Sequence, residues 1–124
     1  MLVLFTAHEM RWHLHPNLAF AHYTGTPLPP GIVALRYGWT INDNLFHAGH
    51  YWLLRGTPEN IAAFAQAQDF GEASEEAYWN TPNAHELFGL TLPKERMRVG
   101  YRRHNGRADW IWVYGDGLAI YDEQ

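Results

Sequence analysis

Cysteine is absent from the 124 residues, which removes disulfide frameworks, thiolate nucleophiles and cysteine-ligated zinc in one step. Serine is almost as scarce. Ser74 is the only one, and its neighbours Ala73, Glu75 and Glu76 read as a helix start, so a serine–histidine hydrolase is not expected. Neither a glycine-rich phosphate loop nor a His-Glu-x-x-His pair occurs. Nothing approaches 18 apolar residues in a row. The apolar opening run from Met1 to Ala7 is short, lacks a basic leader and is followed at once by His8, Glu9, Arg11 and His13, so neither a signal peptide nor a membrane span is expected. An excess of positive charge is missing too: the formal charge is −4 and the pI near 6, which disfavours nucleic acid as a partner. The lack of cysteine fits a cytoplasmic, reducing compartment, as it also fits many exported proteins.

What is present describes a globular chain. A composition 47% hydrophobic and 18% charged has enough apolar surface to offset the entropy of ordering. A chain of this length buries roughly two-thirds of the surface its unfolded state exposes. With no repeat, low-complexity tract or long linker, residues 1–124 are expected to form a single domain. The one loop-like cluster is Thr24 to Gly31, where Pro27, Pro29 and Pro30 forbid a central strand or a helix interior.

The C-terminal end carries the clearest pattern. Asn105-Gly106 between two alternating runs is a strong hairpin signal. A two-residue loop pairs His104 with Arg107, and therefore Arg102 with Asp109, Tyr101 with Trp110, Val99 with Trp112 and Met97 with Tyr114. Opposite charges meet, and large apolar groups meet on the other face. A second tight turn at Asp116-Gly117 extends the meander, setting Trp112 against Tyr121 and Val113 against Ile120. One face then carries Met97, Val99, Tyr101, Trp110, Trp112, Tyr114 and Tyr121; the other carries Ile111, Val113, Leu118 and Ile120 together with Arg96, Arg98 and Arg102.

In the middle, Thr57-Pro58-Glu59 supplies an N-cap, a proline at the first helical position and an early carboxylate. A helix from about 58 to 70 is predicted, with shorter helical stretches at about 72–80 and 82–88. Upstream, Val33, Leu35, Tyr37 and Trp39 alternate with smaller or polar residues, and 45–54 forms another extended run beyond Asn42-Asp43-Asn44, giving a second hairpin. Alternation of His8, Met10, Trp12 and Leu14 favours a strand there, and 18–24 reads as a further strand. The fold class is α+β: mainly antiparallel strands in a twisted sheet or partial barrel, with a helical segment at about 58–88 inserted before a C-terminal three-stranded meander.

Eight histidines are a surplus, and histidine is both the commonest metal ligand and the side chain that titrates near neutrality. On a strand, His13 and His15 would aim at one face, with Glu9, His22 or the His47/His50 region as a third ligand. No third ligand stands at a recognisable spacing, so no metal or other cofactor is expected, His13 and His15 being the alternative. His22-Tyr23-Thr24 matches one half of the paired His-x-Thr arrangement of some phosphoesterases, but only one copy occurs. His13, His15 and His22 are therefore the catalytic candidates of an alternative function, a small histidine-dependent enzyme using acid/base or metal-assisted chemistry beside Glu9 or Asp43.

Six tryptophans, seven tyrosines and six phenylalanines are the other surplus. The aromatic face of the meander reads as core covered by the helix at Pro58, or else as a recognition surface, where Trp and Tyr are enriched. Arg96, Arg98 and Arg102, with Arg103 and Arg107 near the turn, could clamp a phosphate, a carboxylate or an acidic partner, or could guard an edge strand against aggregation. The expected function is a non-catalytic binding domain, of the inhibitor or immunity type, that occupies a protein partner or a small anionic ligand through Arg96, Arg98, Arg102, Tyr101, Trp110 and Trp112. No membrane partner is expected, and a homodimer is left open.

Overall fold

The computed structural model describes residues 10–41, 48–73, 82–93, 97–104 and 106–123. Its elements, in chain order, are α1 (Pro16–Thr24), β1 (Val33–Ile41), β2 (Ala48–Arg55), α2 (Pro58–Ala67), β3 (Gly71–Glu72), α3 (Ala84–Phe88), β4 (Arg98–His104), β5 (Arg107–Val113) and β6 (Leu118–Glu123). The strands form one open, fully antiparallel sheet in the order β1-β2-β6-β5-β4-β3. The fold is thus α+β, with the helical insertion between the two hairpins.

The β4–β5 hairpin has the register its sequence predicts. His104 stands opposite Arg107, Arg102 opposite Asp109, Tyr101 opposite Trp110 and Val99 opposite Trp112. The β5–β6 hairpin differs by one residue: Trp112 pairs with Ile120 and Ile111 with Tyr121. The cause is a longer turn. Tyr114 donates its N–H to the Leu118 carbonyl, so Gly115, Asp116 and Gly117 form the loop, with Asp116 at φ 64° and Gly117 at φ 76°. Because side chains alternate, this shift of one moves Tyr121 off the Trp112 face and onto the Ile111 face.

Both faces of the sheet are covered. On one, Tyr37, Trp52, Leu54, Ile111, Ala119 and Tyr121 pack beneath Ala19 and Phe20 of α1 and Ile61 and Phe64 of α2. On the other, Leu53, Val99, Trp112, Tyr114 and Ile120 pack against Ala73, Ala84, Phe88 and Leu92. The helix at Pro58 therefore covers the face opposite the one it was expected to cover, and α3 with the chain after it covers the aromatic face.

Two expected strands are helical. Residues 10–14 form a helical stretch that runs into α1, with His15 N–H on the Arg11 carbonyl and Ala19 N–H on the His15 carbonyl. Their alternation did not sort residues inward and outward: Trp12 is buried, while Met10 and Leu14 are 55% and 69% exposed. Pro16 at the first helical position and Gly25 as a left-handed C-cap bracket α1. α2 is capped as predicted, the Thr57 side chain accepting from the Asn60 N–H, but it stops at Ala67 because Asp69 turns the chain at φ 61°. Glu72, expected to open a further helix, instead adds with Gly71 the short edge strand β3 beside β4.

Candidate functional site

β4 lies second from the sheet edge and carries Arg98 and Arg102 on the face that α2 covers only in part. Phe70, just past α2, settles over the bare backbone of Gly100, where a Cβ would stand 2.8 Å from Ile111 Cγ2 and 3.0 Å from Phe70 Cβ. Glycine is required here for that close approach. Between the C-terminal half of α2 and β4–β5 this leaves a cleft of about 860 Å³. Its floor and walls come from Ala62, Ala65, Phe70, Ile111 and Val113, and its polar groups are Gln66, Glu72 and Arg98. That volume falls among ligand pockets, which are typically about 300–1,000 Å³, mostly apolar, with a few polar groups.

The two described arginines of the stripe have different circumstances. Arg98 is exposed at the rim and engages no hydrogen bond or ion pair among the described residues. Arg102 is consumed by the fold. Its Nε pairs with Asp109 Oδ2 at 3.0 Å, Nη1 donates to the Gln68 carbonyl and side-chain oxygen at 2.8 Å each, Nη2 donates to the Tyr121 hydroxyl, and the guanidinium lies over the Phe70 ring. The side chains of Arg102 and Asp109 are 13% and 3% exposed, so this pair is locked beside the cleft wall. Burial foremost, and then the Asp109 carboxylate, pushes the Tyr121 phenol well above its ordinary range, with Arg102 acting in the opposite sense. Arg96 lies outside the described residues, and Arg103 is exposed, donating from Nε to the Tyr101 hydroxyl at 3.1 Å.

Tyr101, Trp110 and Trp112 project from the opposite face of the same strands. Trp112 is 1% exposed in the core, Trp110 stacks beside it, and half-buried Tyr101 leans on Trp110 at 4.5 Å. Arg98 and Arg102 do not make one surface with these aromatics.

The histidines are spread out. His13 and His15, in and just after a helical stretch rather than on a strand, no longer share a face two residues apart. His13 Nδ1 sits 2.8 Å from the Tyr37 carbonyl, so it is the protonated nitrogen, and His15 is exposed at the start of α1. His22 stacks on Trp12 at the other end of α1, and Thr24 uses its hydroxyl to donate to the Phe20 carbonyl at 2.6 Å; the His-x-Thr segment is helical and engaged in ending a helix. His50 Nδ1 bonds the Tyr37 hydroxyl at 2.7 Å, with Tyr23 stacked on its ring. His85 lines a smaller pocket of about 300 Å³ beside Tyr114. Among the described residues no three His, Asp or Glu side chains stand together as a metal-binding group. His8, Glu9, Asp43, His47 and Ser74 lie outside them.

Glu72, Gln66 and Phe70 were missed at the level of sequence, where 72–80 read as helix. The signal that could have found them was Gly100, an isolated glycine inside an alternating strand, which marks close approach of another group. No helix among the described residues is long and apolar enough to cross a membrane. No family model, curated protein or solved structure matches this chain.

Proposed function

We propose that the chain is a non-catalytic binding domain that holds a small organic anion in the cleft between α2 and β4, with Arg98 as the anion's counter-ion and the apolar floor receiving its body. The observation that carries this is an arginine with no partner among the described residues, at the rim of a largely apolar cleft. An arginine placed so can form a bidentate, charge-assisted bond to a carboxylate or sulfonate without breaking anything in the free fold. A concave site of this volume suits a small molecule better than the flat surface an inhibitor or immunity-type contact uses.

The test uses 8-anilinonaphthalene-1-sulfonate, whose aromatic body and single sulfonate match the cleft's two features. Titration should show saturable fluorescence enhancement at one site per chain. Arg98→Ala should weaken it about tenfold, the equivalent of one charge-assisted hydrogen bond. Because Arg98 is exposed and has no partner among the described residues, that variant should keep wild-type stability to within about 0.5 kcal/mol. Absence of saturable binding, or equal affinity in Arg98→Ala, would remove the proposal.

A further inference from the structure

Glu72 gives the cleft a second charge. It stands opposite Gly100 in the β3–β4 pair, and its side chain therefore leaves the sheet on the face that carries Arg98. Arg98 is two residues from Gly100 along β4, which makes Glu72 and Arg98 diagonal neighbours at roughly 7–8 Å by sheet geometry. Both are exposed and both line the cleft, yet they form no ion pair with each other, and neither is held by any other described residue. The next cation along the strand, Arg102, is committed to Asp109, Gln68 and Tyr121. Among its described residues, the cleft thus presents one cation and one anion with no partner at its rim.

A second negative charge on a ligand would meet Glu72 and find no further cation among the described residues that line this cleft, which argues against phosphates and dicarboxylates. A positive charge close to the anionic group would instead be matched. Resting on the binding reading above, we infer that the preferred ligand is a zwitterion with a large apolar side chain, a free apolar α-amino acid. Its carboxylate pairs with Arg98, its ammonium with Glu72, and its side chain lies on Ala65, Phe70, Ile111 and Val113. Gln66 sits at the same rim and can donate to or accept from either group.

The experiment compares L-phenylalanine, N-acetyl-L-phenylalanine and the sulfonate probe on the full chain and on Glu72→Gln, by calorimetry or by displacement of the probe. Phenylalanine should bind about tenfold more tightly than its N-acetyl form, since acetylation removes the ammonium and its charge-assisted bond. Glu72→Gln should invert the order: phenylalanine weakens, while the two pure anions tighten because a repelling carboxylate is gone. A merely structural role for Glu72 would move all three in one direction. If the probe binds in an Arg98-dependent way but phenylalanine does not outbind its acetylated form, or if Glu72→Gln leaves the order unchanged, the zwitterion inference fails and the binding reading stands. If neither the probe nor phenylalanine binds, both fail.

Discussion

At the scale of single residues, two side chains that share β4–β5 with the cleft are fixed by burial. Arg102→Ala would leave Asp109, 2% exposed, without the guanidinium that pairs with it, and Asp109 Oδ1 already has no hydrogen-bond partner among the described residues. Removing one partner of such a pair costs about 3–5 kcal/mol, whereas a surface pair would cost under about 1 kcal/mol. Urea denaturation should show the larger loss, and Arg102→Met combined with Asp109→Leu should recover part of it, because an apolar replacement strands no charge. Trp112 is the second case. It is enclosed by Val99 and Ile120 on the flanking strands, and Trp112→Ala should cost about 3–5 kcal/mol, a large part of the roughly 5–15 kcal/mol a domain has. An equally stable folded variant would mean that the aromatic face is not core.

Among the elements, the two turns of the C-terminal meander show what sequence could and could not decide. Gly106 has φ 77° and nothing within 4 Å of a built Cβ, so Gly106→Ala should cost only the backbone strain of a left-handed residue, about 1 kcal/mol. Gly117 has φ 76°, but a Cβ there would run into the Gly56 carbonyl, and Gly56 donates its N–H to Gly117 O at 2.9 Å. Gly117→Ala should therefore cost clearly more, about 3 kcal/mol, and the difference in denaturant midpoints reads out the close approach. The first hairpin was legible because Arg102–Asp109 and Tyr101–Trp110 agree with an Asn-Gly turn on the same register. The second was not, since Gly115-Asp116-Gly117 supports loops of two or three residues, and only the packing of Gly117 on Gly56 selects the longer one. At the other end, Pro16 and Gly25 announce a helix more reliably than alternation over 8–14 announces a strand, because a short amphipathic stretch fits either period. The arginine stripe was visible in the sequence; that Asp109, Gln68 and Tyr121 consume Arg102, while Arg98 has no partner among the described residues, depends on contacts 7 to 34 residues apart.

For the molecule as a whole, a sheet buried on both faces has a consequence at high pH. Burial raises the Tyr114 phenol to about 12 and pushes Tyr121 in the same direction. Below pH 10 both phenols are neutral in the folded and unfolded chains, and the stability tied to that form is fully present. Between about pH 10 and 12 the unfolded chain loses these protons while the folded chain keeps them, so stability falls across that window. Denaturant midpoints measured through it should decline, and Tyr114→Phe should make the decline shallower. The same two-faced burial separates the proposed function from the core: Trp112 is enclosed on one face, and the cleft beside Arg98 opens on the other. The most direct measurement is a methyl-resolved NMR titration of the full chain with 8-anilinonaphthalene-1-sulfonate. Ala62, Ala65, Ile111 and Val113 should shift progressively while Leu53, Leu118 and Ile120 on the opposite face stay still; shifts concentrated on the latter group, or on none, would contradict the account.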